Sequence, residues 1–231
     1  MFYYYGIDYT YILFVLPAVI FTFIAQAQVN GAFRKYQNVM TARRMTGAQV
    51  AERMLQAFGV QGIRVERTTG RLSDHFSPKE SVIRLSDEVY HGTSVAAAGI
   101  AAHECGHAAQ HASGYGPIRF RNAIIPISQL GSGLAVPLVL AGFIFNFQIL
   151  VTAGIVFFAA AVLFQLVTLP VEFNASSRAL ETLQTAGILS EEESVGAKRV
   201  LRAAALTYVA ALAVSLAQLL RLVLLANRRR D

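Results

Sequence analysis

The 231-residue sequence has one cysteine, Cys105, and few charged residues, which make up 15% of the chain. A single cysteine excludes an internal disulfide and gives no indication of an oxidising compartment. It also excludes a structural zinc site built from several cysteines. The hydrophobic content of 55% is well above that of soluble proteins. This surplus of apolar residues indicates that much of the chain contacts a lipid bilayer.

The net charge of +6 does not indicate a nucleic-acid partner. The Lys and Arg residues flank apolar blocks and form neither a basic helix nor an RNA-binding signature, so we interpret them as determinants of membrane orientation. A transporter or channel is also disfavoured, because it would place ionisable residues inside several spans. The apolar blocks at residues 123–145 and 149–169 contain none.

Four apolar blocks are long enough to cross a bilayer. The first covers residues 9–27, and the lack of a basic region before it favours a retained helix over a cleaved signal peptide. The next two, 123–145 and 149–169, have a connector so short that they must form a helical hairpin. The fourth covers residues 203–226, although Arg221 near its end also fits a tilted helix at the membrane interface.

The sequence therefore predicts a mainly α-helical, multi-pass membrane bundle of about four spans with a small cytoplasmic α+β module. The two polar segments, residues 29–121 and 171–202, carry most of the Lys and Arg residues, so the positive-inside rule places them in the cytoplasm. Arg228 to Arg230 would then lie outside, against that rule. The predicted segments are a first transmembrane helix (1–28), the module with the candidate site (29–122), a transmembrane hairpin (123–170), a second cytoplasmic segment (171–202), and a fourth transmembrane or interfacial helix with a basic tail (203–231).

The module contains signals for a helix and a small strand pair. Apolar residues recur at helical spacing over residues 48–58, and Gly59 ends this helix. Residues 63–66 and 81–85 alternate between apolar and polar, with turn signals between them, which predicts two strands joined as a hairpin. Such a pair has an exposed edge.

A second helix of the module carries the arrangement H-E-x-x-H at His103, Glu104 and His107. Thr93 or Ser94 can cap this alanine-rich helix, which reaches at least His111. Positions i and i+4 share a helix face, so both imidazoles can bind one ion. Catalytic zinc takes three protein ligands and one water, and Glu104 lies beside that water as the expected general base. The prediction is one Zn²⁺ per chain.

The alternative is that these histidines are ordinary polar groups of a helix. An alanine-rich helix is easily enclosed by others, where two histidines and a glutamate would be costly without a ligand. A second hypothesis is a catalytically silent, zinc-binding membrane scaffold or protease partner. The intact Glu104 argues against it, because a purely structural site needs no base.

The third ligand must come from elsewhere, because no histidine follows at the longer spacing of the H-E-x-x-H-x-x-G-x-x-H enzymes. Glu172 is the preferred candidate. It is the first acidic residue after His107, and it follows Pro170 at the cytoplasmic end of the third span. The alternative is an interfacial carboxylate at a helix start, stabilised by the helix dipole. The residues by themselves leave both open.

Four other polar residues have possible functional roles. Asp74 and His75 could touch substrate or metal, although a turn carboxylate and an exposed histidine are the more ordinary interpretation. Tyr208 could donate a hydrogen bond to the oxyanion of the tetrahedral intermediate, or simply pack between helices. Arg178 could bind a substrate carboxylate or lie at the membrane surface.

Two segments resemble the signature blocks of the YugP family of membrane zinc metallopeptidases: A-H-E-C-G-H-A at residues 102–108 and T-L-P-V-E-F-N-A-S at residues 168–176. Residues 72–76, 84–86 and 205–210 also resemble that family, so the likeness covers almost the whole chain.

The pairing of H-E-x-x-H with a later E-x-x-A is similar to HtpX-type membrane proteases, whose downstream glutamate is the third zinc ligand. The resemblance implies this role for Glu172. Where the HtpX-type pattern has an aspartate, this chain has Ser176. We therefore expect Asn174 or Ser176 to be the hydrogen-bond partner of a zinc-bound histidine, a weaker partner than a carboxylate.

The function predicted from these features is a membrane-embedded, zinc-dependent endopeptidase of the bacterial inner membrane. Glu104 would activate a zinc-bound water, and the active site would face the cytoplasm. The expected partners are a protein or peptide substrate and the lipid bilayer, and the strand pair offers an edge for an extended substrate. An oligomer or a regulatory membrane partner remains open.

Overall fold

The computed structural model describes residues 3–4, 7–70 and 73–227. Leu72, which belongs to one of the segments compared above, and the tail residues Arg228 to Arg230 lie outside the described residues. In chain order the elements are β1 (Tyr3–Tyr4), β2 (Ile7–Asp8), α1 (Leu16–Tyr36, preceded by the π-helical turn Tyr11–Val15), α2 (Gly47–Ala57), β3 (Arg64–Thr68), β4 (His75–Ser77), β5 (Val82–Ser86), α3 (Asp87–Tyr90), α4 (Val95–Ala112), α5 (Gly116–Ile144), α6 (Gln148–Thr185) and α7 (Glu191–Asn227).

Four helices in the described part of the chain have the length and composition needed to cross a membrane. They are Tyr11–Tyr36, Gly116–Ile144, Gln148–Thr185 and Glu191–Asn227. Together with one small three-stranded sheet, they confirm the predicted fold class, a membrane helical bundle with a small α+β module.

The long helices differ from the predicted spans in where they end. Helix α6 continues through Pro170 to Thr185, and α7 already begins at Glu191. The predicted second cytoplasmic segment is therefore made of the ends of two helices and the turn between them. Hydropathy finds the apolar part of a helix but not its polar continuation, because the backbone hydrogen bonds do not stop where the side chains become polar.

The chain forms two compact units. The first contains residues up to Gln26, Phe120–Leu169 and the residues from Leu206 onward. In it, α5 and α6 form the predicted hairpin, with Asn146 at φ 53° in the connector. A Cβ on Gly154 would lie 2.8 Å from the carbonyl oxygen of Ala135, so the two helices approach closely at this glycine.

The second unit contains Ala27–Arg119 and Pro170–Ala205. Its sheet has the order β3-β5-β4, in which β3 and β5 are parallel and β4 is antiparallel to β5. The predicted hairpin of two strands is therefore wrong. The two predicted strands are neighbours, but the short strand β4 lies between them in sequence and brings the chain back for a parallel pairing. A strand of three residues is too short for alternation to reveal.

Helix α4 lies in the core of this second unit. Its alanines Ala101, Ala102 and Ala108 are fully buried, as are Met54 of α2 and Leu85 of β5. Small side chains allow neighbouring elements to approach α4 closely, so its polar residues are enclosed by protein. This enclosure places the H-E-x-x-H residues in a largely desolvated environment.

Candidate metal centre

Ser94, and not Thr93, caps helix α4. Its side chain accepts a hydrogen bond from the Ala97 N–H at 3.2 Å, which satisfies one of the free amides at the helix start. The helix ends at Ala112, and Gly114 follows with φ 63°, a conformation that favours glycine. The helix therefore extends beyond His111, as predicted.

The side chains of His103, His107 and Glu172 converge. Glu172 Oε2 lies 3.3 Å from His103 Nε2 and 3.5 Å from His107 Nε2. One potential ligand atom from each of the three residues lies within 4.8 Å of the others. The two histidines come from one face of α4, and Glu172 comes from α6.

These separations are close to those of a tetrahedral zinc site. Ligand atoms about 2.0–2.1 Å from a tetrahedral Zn²⁺ lie roughly 3.3 Å from one another. Two imidazole nitrogens and one carboxylate oxygen are also the ligand types that catalytic zinc uses. The donor set therefore fits a zinc ion, and the distances from Glu172 to the two histidines are close to the spacing of ligands in such a site.

Glu172 is in the interior of α6 and is 3% exposed, so its interpretation as a carboxylate at a helix start is wrong. Its buried Oε2 accepts no hydrogen bond from the described residues. Burial lowers the pKa of His107, but the carboxylates of Glu172 and Glu104 outweigh burial and raise that pKa above its usual value near 6.5. The site therefore favours positive charge between these groups.

Gly106 allows the two helices to meet at the site. A Cβ on Gly106 would contact the carbonyl oxygen of Ala175 and would lie 3.0 Å from its carbonyl carbon. Ala175 is on α6, between Glu172 and Ser176, and is fully buried. The backbones of α4 and α6 therefore approach closely beside the candidate ligands, and glycine leaves room for this approach.

Each histidine has a polar partner at its other ring nitrogen. Ser176 Oγ lies 3.1 Å from His103 Nδ1, and Gln110 Oε1 lies 3.1 Å from His107 Nδ1. These contacts leave both Nε2 atoms for the metal side. Of the two partners expected from the sequence, Ser176 is adjacent to a histidine, whereas Asn174 contacts Gln110 instead.

Gln110 is a candidate that the sequence analysis missed. It is fully buried and follows His107 by three residues on the same helix. That spacing places it on the face of His107 and could have identified it. A buried glutamine in an alanine-rich helix is itself a signal, because its amide must find hydrogen-bond partners.

Glu104 lies on α4 between the two histidines in sequence and is 8% exposed. Its negative charge is one of the causes of the raised pKa of His107, so the carboxylate contributes to the electrostatics of the candidate site. Its role as general base stays a prediction.

Asp74 and His75 lie at the beginning of β4. Both carboxylate oxygens of Asp74 accept hydrogen bonds from the Ser86 hydroxyl, and Oδ1 also accepts from the Ser86 N–H at 2.8 Å. Burial raises the pKa of Asp74, although the hydrogen bonds from Ser86 oppose this shift. His75 is exposed, and its Nδ1 lies 2.7 Å from the Ser73 carbonyl oxygen. These contacts join the ends of β4 and β5.

Strand β4 also lies beside the metal-site helix. The Phe76 ring of β4 lies 5.9 Å, centroid to centroid, from the His111 ring on α4. Strand β4 is therefore an edge strand of the sheet that also contacts the helix carrying His103 and His107.

The structure gives Arg178 two partners. Its Nε donates a hydrogen bond to Asn174 Oδ1 at 2.9 Å, and its guanidinium lies 5.7 Å from the centre of the Tyr115 ring. Tyr208 lies on α7 in the first unit and is 40% exposed. The predicted roles of Arg178 and Tyr208 in substrate or oxyanion binding stay predictions.

A family described as "Putative neutral zinc metallopeptidase" matches residues 11–227. A protein of Bacillus subtilis (strain 168) described as "Putative membrane protease YugP" is 44% identical over 221 residues, which cover 96% of this chain and 98% of that protein. No solved structure matches the chain. The chain therefore belongs to this zinc metallopeptidase family, as the resemblance in its motifs implied.

Proposed function

For this member of the zinc metallopeptidase family, we propose the function of a membrane-embedded endopeptidase that holds one Zn²⁺ with His103, His107 and Glu172. One observation carries the proposal. Glu172 Oε2 is buried, lies 3.3 and 3.5 Å from the two Nε2 atoms and accepts no hydrogen bond from the described part of the chain. A buried carboxylate beside two imidazoles favours a positive charge between these groups, which a protonated histidine or a bound metal ion can supply, and the set of two imidazoles and one carboxylate is one that catalytic zinc uses.

In the proposed chemistry, the metal ion and Glu104 have different roles. When bound, zinc supplies a Lewis acid that polarises the substrate carbonyl and makes water more acidic. Glu104 accepts a proton from the attacking water and passes it to the leaving amine. The enclosure of α4 excludes bulk water and strengthens both electrostatic effects.

The edge strand β4 supports the proposal of a peptide substrate. It contacts the helix of the candidate metal site through Phe76 and His111, and as an edge strand it can pair with an extended chain by backbone hydrogen bonds. Backbone pairing is independent of side chains, so an extended segment of an unfolded protein or an exposed loop would fit. Pairing along a strand needs no free chain end, and for this reason the proposal is an endopeptidase.

The proposed location is the bacterial inner membrane, with the site on the cytoplasmic side. One candidate span precedes His103. Between His107 and Glu172 lie the span Gly116–Ile144 and the apolar first part of the span Gln148–Thr185, which itself contains Glu172. An even number of crossings allows these ligands to lie on one side of the membrane, consistent with their convergence. Most Lys and Arg residues fall in the same segments, which the positive-inside rule assigns to the cytoplasm.

The experiment compares the wild-type protein with Glu104→Gln, both purified in detergent without chelator. Zinc per chain is measured by elemental analysis, and cleavage of casein is measured with and without a chelator. Glu181→Gln, an exposed change on α6, is the matched control. We expect about one zinc per chain in all three proteins, with cleavage by the wild type and Glu181→Gln and a loss of at least a hundredfold in Glu104→Gln.

Two outcomes would contradict the proposal. Wild-type protein that contains zinc but cleaves no more than Glu104→Gln would support the silent zinc-binding scaffold. Wild-type protein without zinc would show that the three converging residues are not a metal site.

A further inference from the structure

The buried amide of Gln110 joins the two helices that carry the candidate ligands. Its Nε2 donates hydrogen bonds to the Val171 carbonyl oxygen at 2.8 Å and to Asn174 Oδ1 at 3.0 Å. A carbonyl oxygen only accepts, so the atom that faces Val171 must be the amide nitrogen. The orientation of the Gln110 amide is therefore determined by its surroundings.

Arg178 determines the orientation of Asn174 in the same way. A guanidinium only donates hydrogen bonds, so the Asn174 atom 2.9 Å from Arg178 Nε must be the amide oxygen. The Tyr115 ring lies 5.7 Å from the guanidinium carbon, and the Tyr115 N–H donates to the Gln110 carbonyl oxygen at 3.0 Å. Arg178 is thus in contact with both Asn174 and a residue tied to Gln110.

The consequence falls on His107. With the Gln110 nitrogen facing Val171 and Asn174, its oxygen faces His107 Nδ1 at 3.1 Å. An amide oxygen only accepts, so Nδ1 carries a hydrogen, and in the neutral imidazole the lone pair is then on Nε2. That lone pair is available on the side of Glu172 Oε2, where the proposed ion would bind.

The hydrogen-bond partner of His103 does not determine the tautomer of that histidine. Its partner is the Ser176 hydroxyl, which can either donate or accept a hydrogen bond. This contact is satisfied by either tautomer of the imidazole. The relay of Arg178, Asn174 and Gln110 therefore acts on one of the two histidines only.

We propose that Arg178 and Asn174 are positioning residues that act through Gln110 to hold His107 in the tautomer with its hydrogen on Nδ1. The inference rests on the proposed function, because it takes His107 as a zinc ligand. The expected effect is that of other hydrogen-bond partners of metal-bound histidines, whose loss weakens metal binding by about tenfold to a hundredfold.

The test compares the wild type with Asn174→Ala and Asn174→Asp. Alanine removes one of the two acceptors that orient the Gln110 amide and leaves the Val171 carbonyl oxygen, whereas aspartate retains an acceptor for both Gln110 and Arg178. Gln184→Ala, an exposed change on the same helix, is the control. Zinc affinity is measured by competition with a chromophoric chelator, and the tautomer of His107 is measured by nitrogen NMR of histidine-labelled, zinc-free protein at pH 8.

We expect Asn174→Ala to bind zinc at least about tenfold more weakly and Asn174→Asp to recover most of that loss. Gln184→Ala should bind as the wild type does. In the zinc-free protein, His107 should be the Nδ1–H tautomer in the wild type and a mixture of tautomers in Asn174→Ala. Thermal unfolding of each zinc-free variant distinguishes a weakened site from a destabilised fold.

The relay is overturned if the wild type binds zinc and a folded Asn174→Ala binds it equally well. A wild type that binds no zinc would refute the proposed function instead. The role of Arg178, Asn174 and Gln110 would then be tested only by the NMR measurement of the His107 tautomer. In that case, a wild-type His107 with its hydrogen on Nε2 would overturn the relay.

Discussion

Gly106 of α4 lies directly against the Ala175 backbone of α6, so that a Cβ on Gly106 would be 3.0 Å from the Ala175 carbonyl carbon and 3.2 Å from its Cα. The obstructing atoms are backbone, which cannot rotate away as a side chain can. The distance between α4 and α6 at this contact sets the separation of His103 and His107 from Glu172.

Replacement of Gly106 by alanine is expected to push α4 and α6 apart and to weaken zinc binding by more than tenfold, an effect of the size seen when metal ligands lose their positioning contacts. Overpacking should also destabilise the zinc-free protein by about 1–3 kcal/mol. Gly99→Ala is the control on the same helix, because its Cβ would meet the Ala197 Cβ at 3.4 Å, an ordinary contact. Chelator competition and thermal unfolding measure both effects, and an unchanged zinc affinity in Gly106→Ala would contradict this account.

Glu172→Gln should have opposite effects on the zinc-bound and zinc-free protein. The amide is a poor zinc ligand, so we expect zinc affinity to fall by more than tenfold. In the zinc-free protein at pH 8, the change removes a buried charge and supplies an N–H₂ that can donate to the histidine Nε2 atoms, which should stabilise the fold by about 1 kcal/mol. Melting temperatures with and without zinc measure this, and a variant that zinc stabilises as strongly as the wild type would rule out Glu172 as a ligand.

Zinc affinity should depend on pH because the ligands must lose their protons. The pKa of His107 lies above its usual value near 6.5, so protons should compete with zinc at a higher pH than they would for an ordinary histidine. Affinity should fall by up to about tenfold per pH unit for each proton displaced as the pH is lowered. The stability of the zinc-free protein should depend on pH in the opposite direction. Protonated His107 stabilises the fold at pH values below its pKa in the unfolded chain, and this stabilisation is lost as the pH rises through its pKa in the folded protein. Chelator competition from pH 5.5 to 8.5 tests the first effect, which a flat profile would contradict.

Asp74→Ala tests whether this carboxylate has a structural or a chemical role. The change removes the acceptor for the Ser86 N–H and hydroxyl, so we expect a loss of about 1–3 kcal/mol in the free energy of unfolding. Zinc affinity should be unaffected if Asp74 only joins β4 to β5. Asp74→Asn retains one acceptor and should lose less stability. Weaker zinc binding in both variants, without a change in stability, would instead assign Asp74 to the metal site.

The sequence by itself determined the fold class and two of the candidate ligands. Apolar blocks long enough to span a bilayer are a property of composition, and they do not depend on contacts between distant residues. The i, i+4 spacing of His103 and His107 likewise places both on one helix face through local geometry. The site roles of these residues stay predictions until metal binding is measured.

Tertiary structure alone decided which distant groups meet. The sequence left Glu172 as either a ligand or a helix-start carboxylate, and only the crossing of α4 and α6 brings its Oε2 to 3.3 Å from His103. The parallel pairing of β3 and β5 was also hidden, since alternation of apolar and polar residues is the same for either strand direction. The tautomer-fixing role of Gln110 depends on partners from a helix about sixty residues later, Val171 and Asn174, whose approach no local pattern encodes.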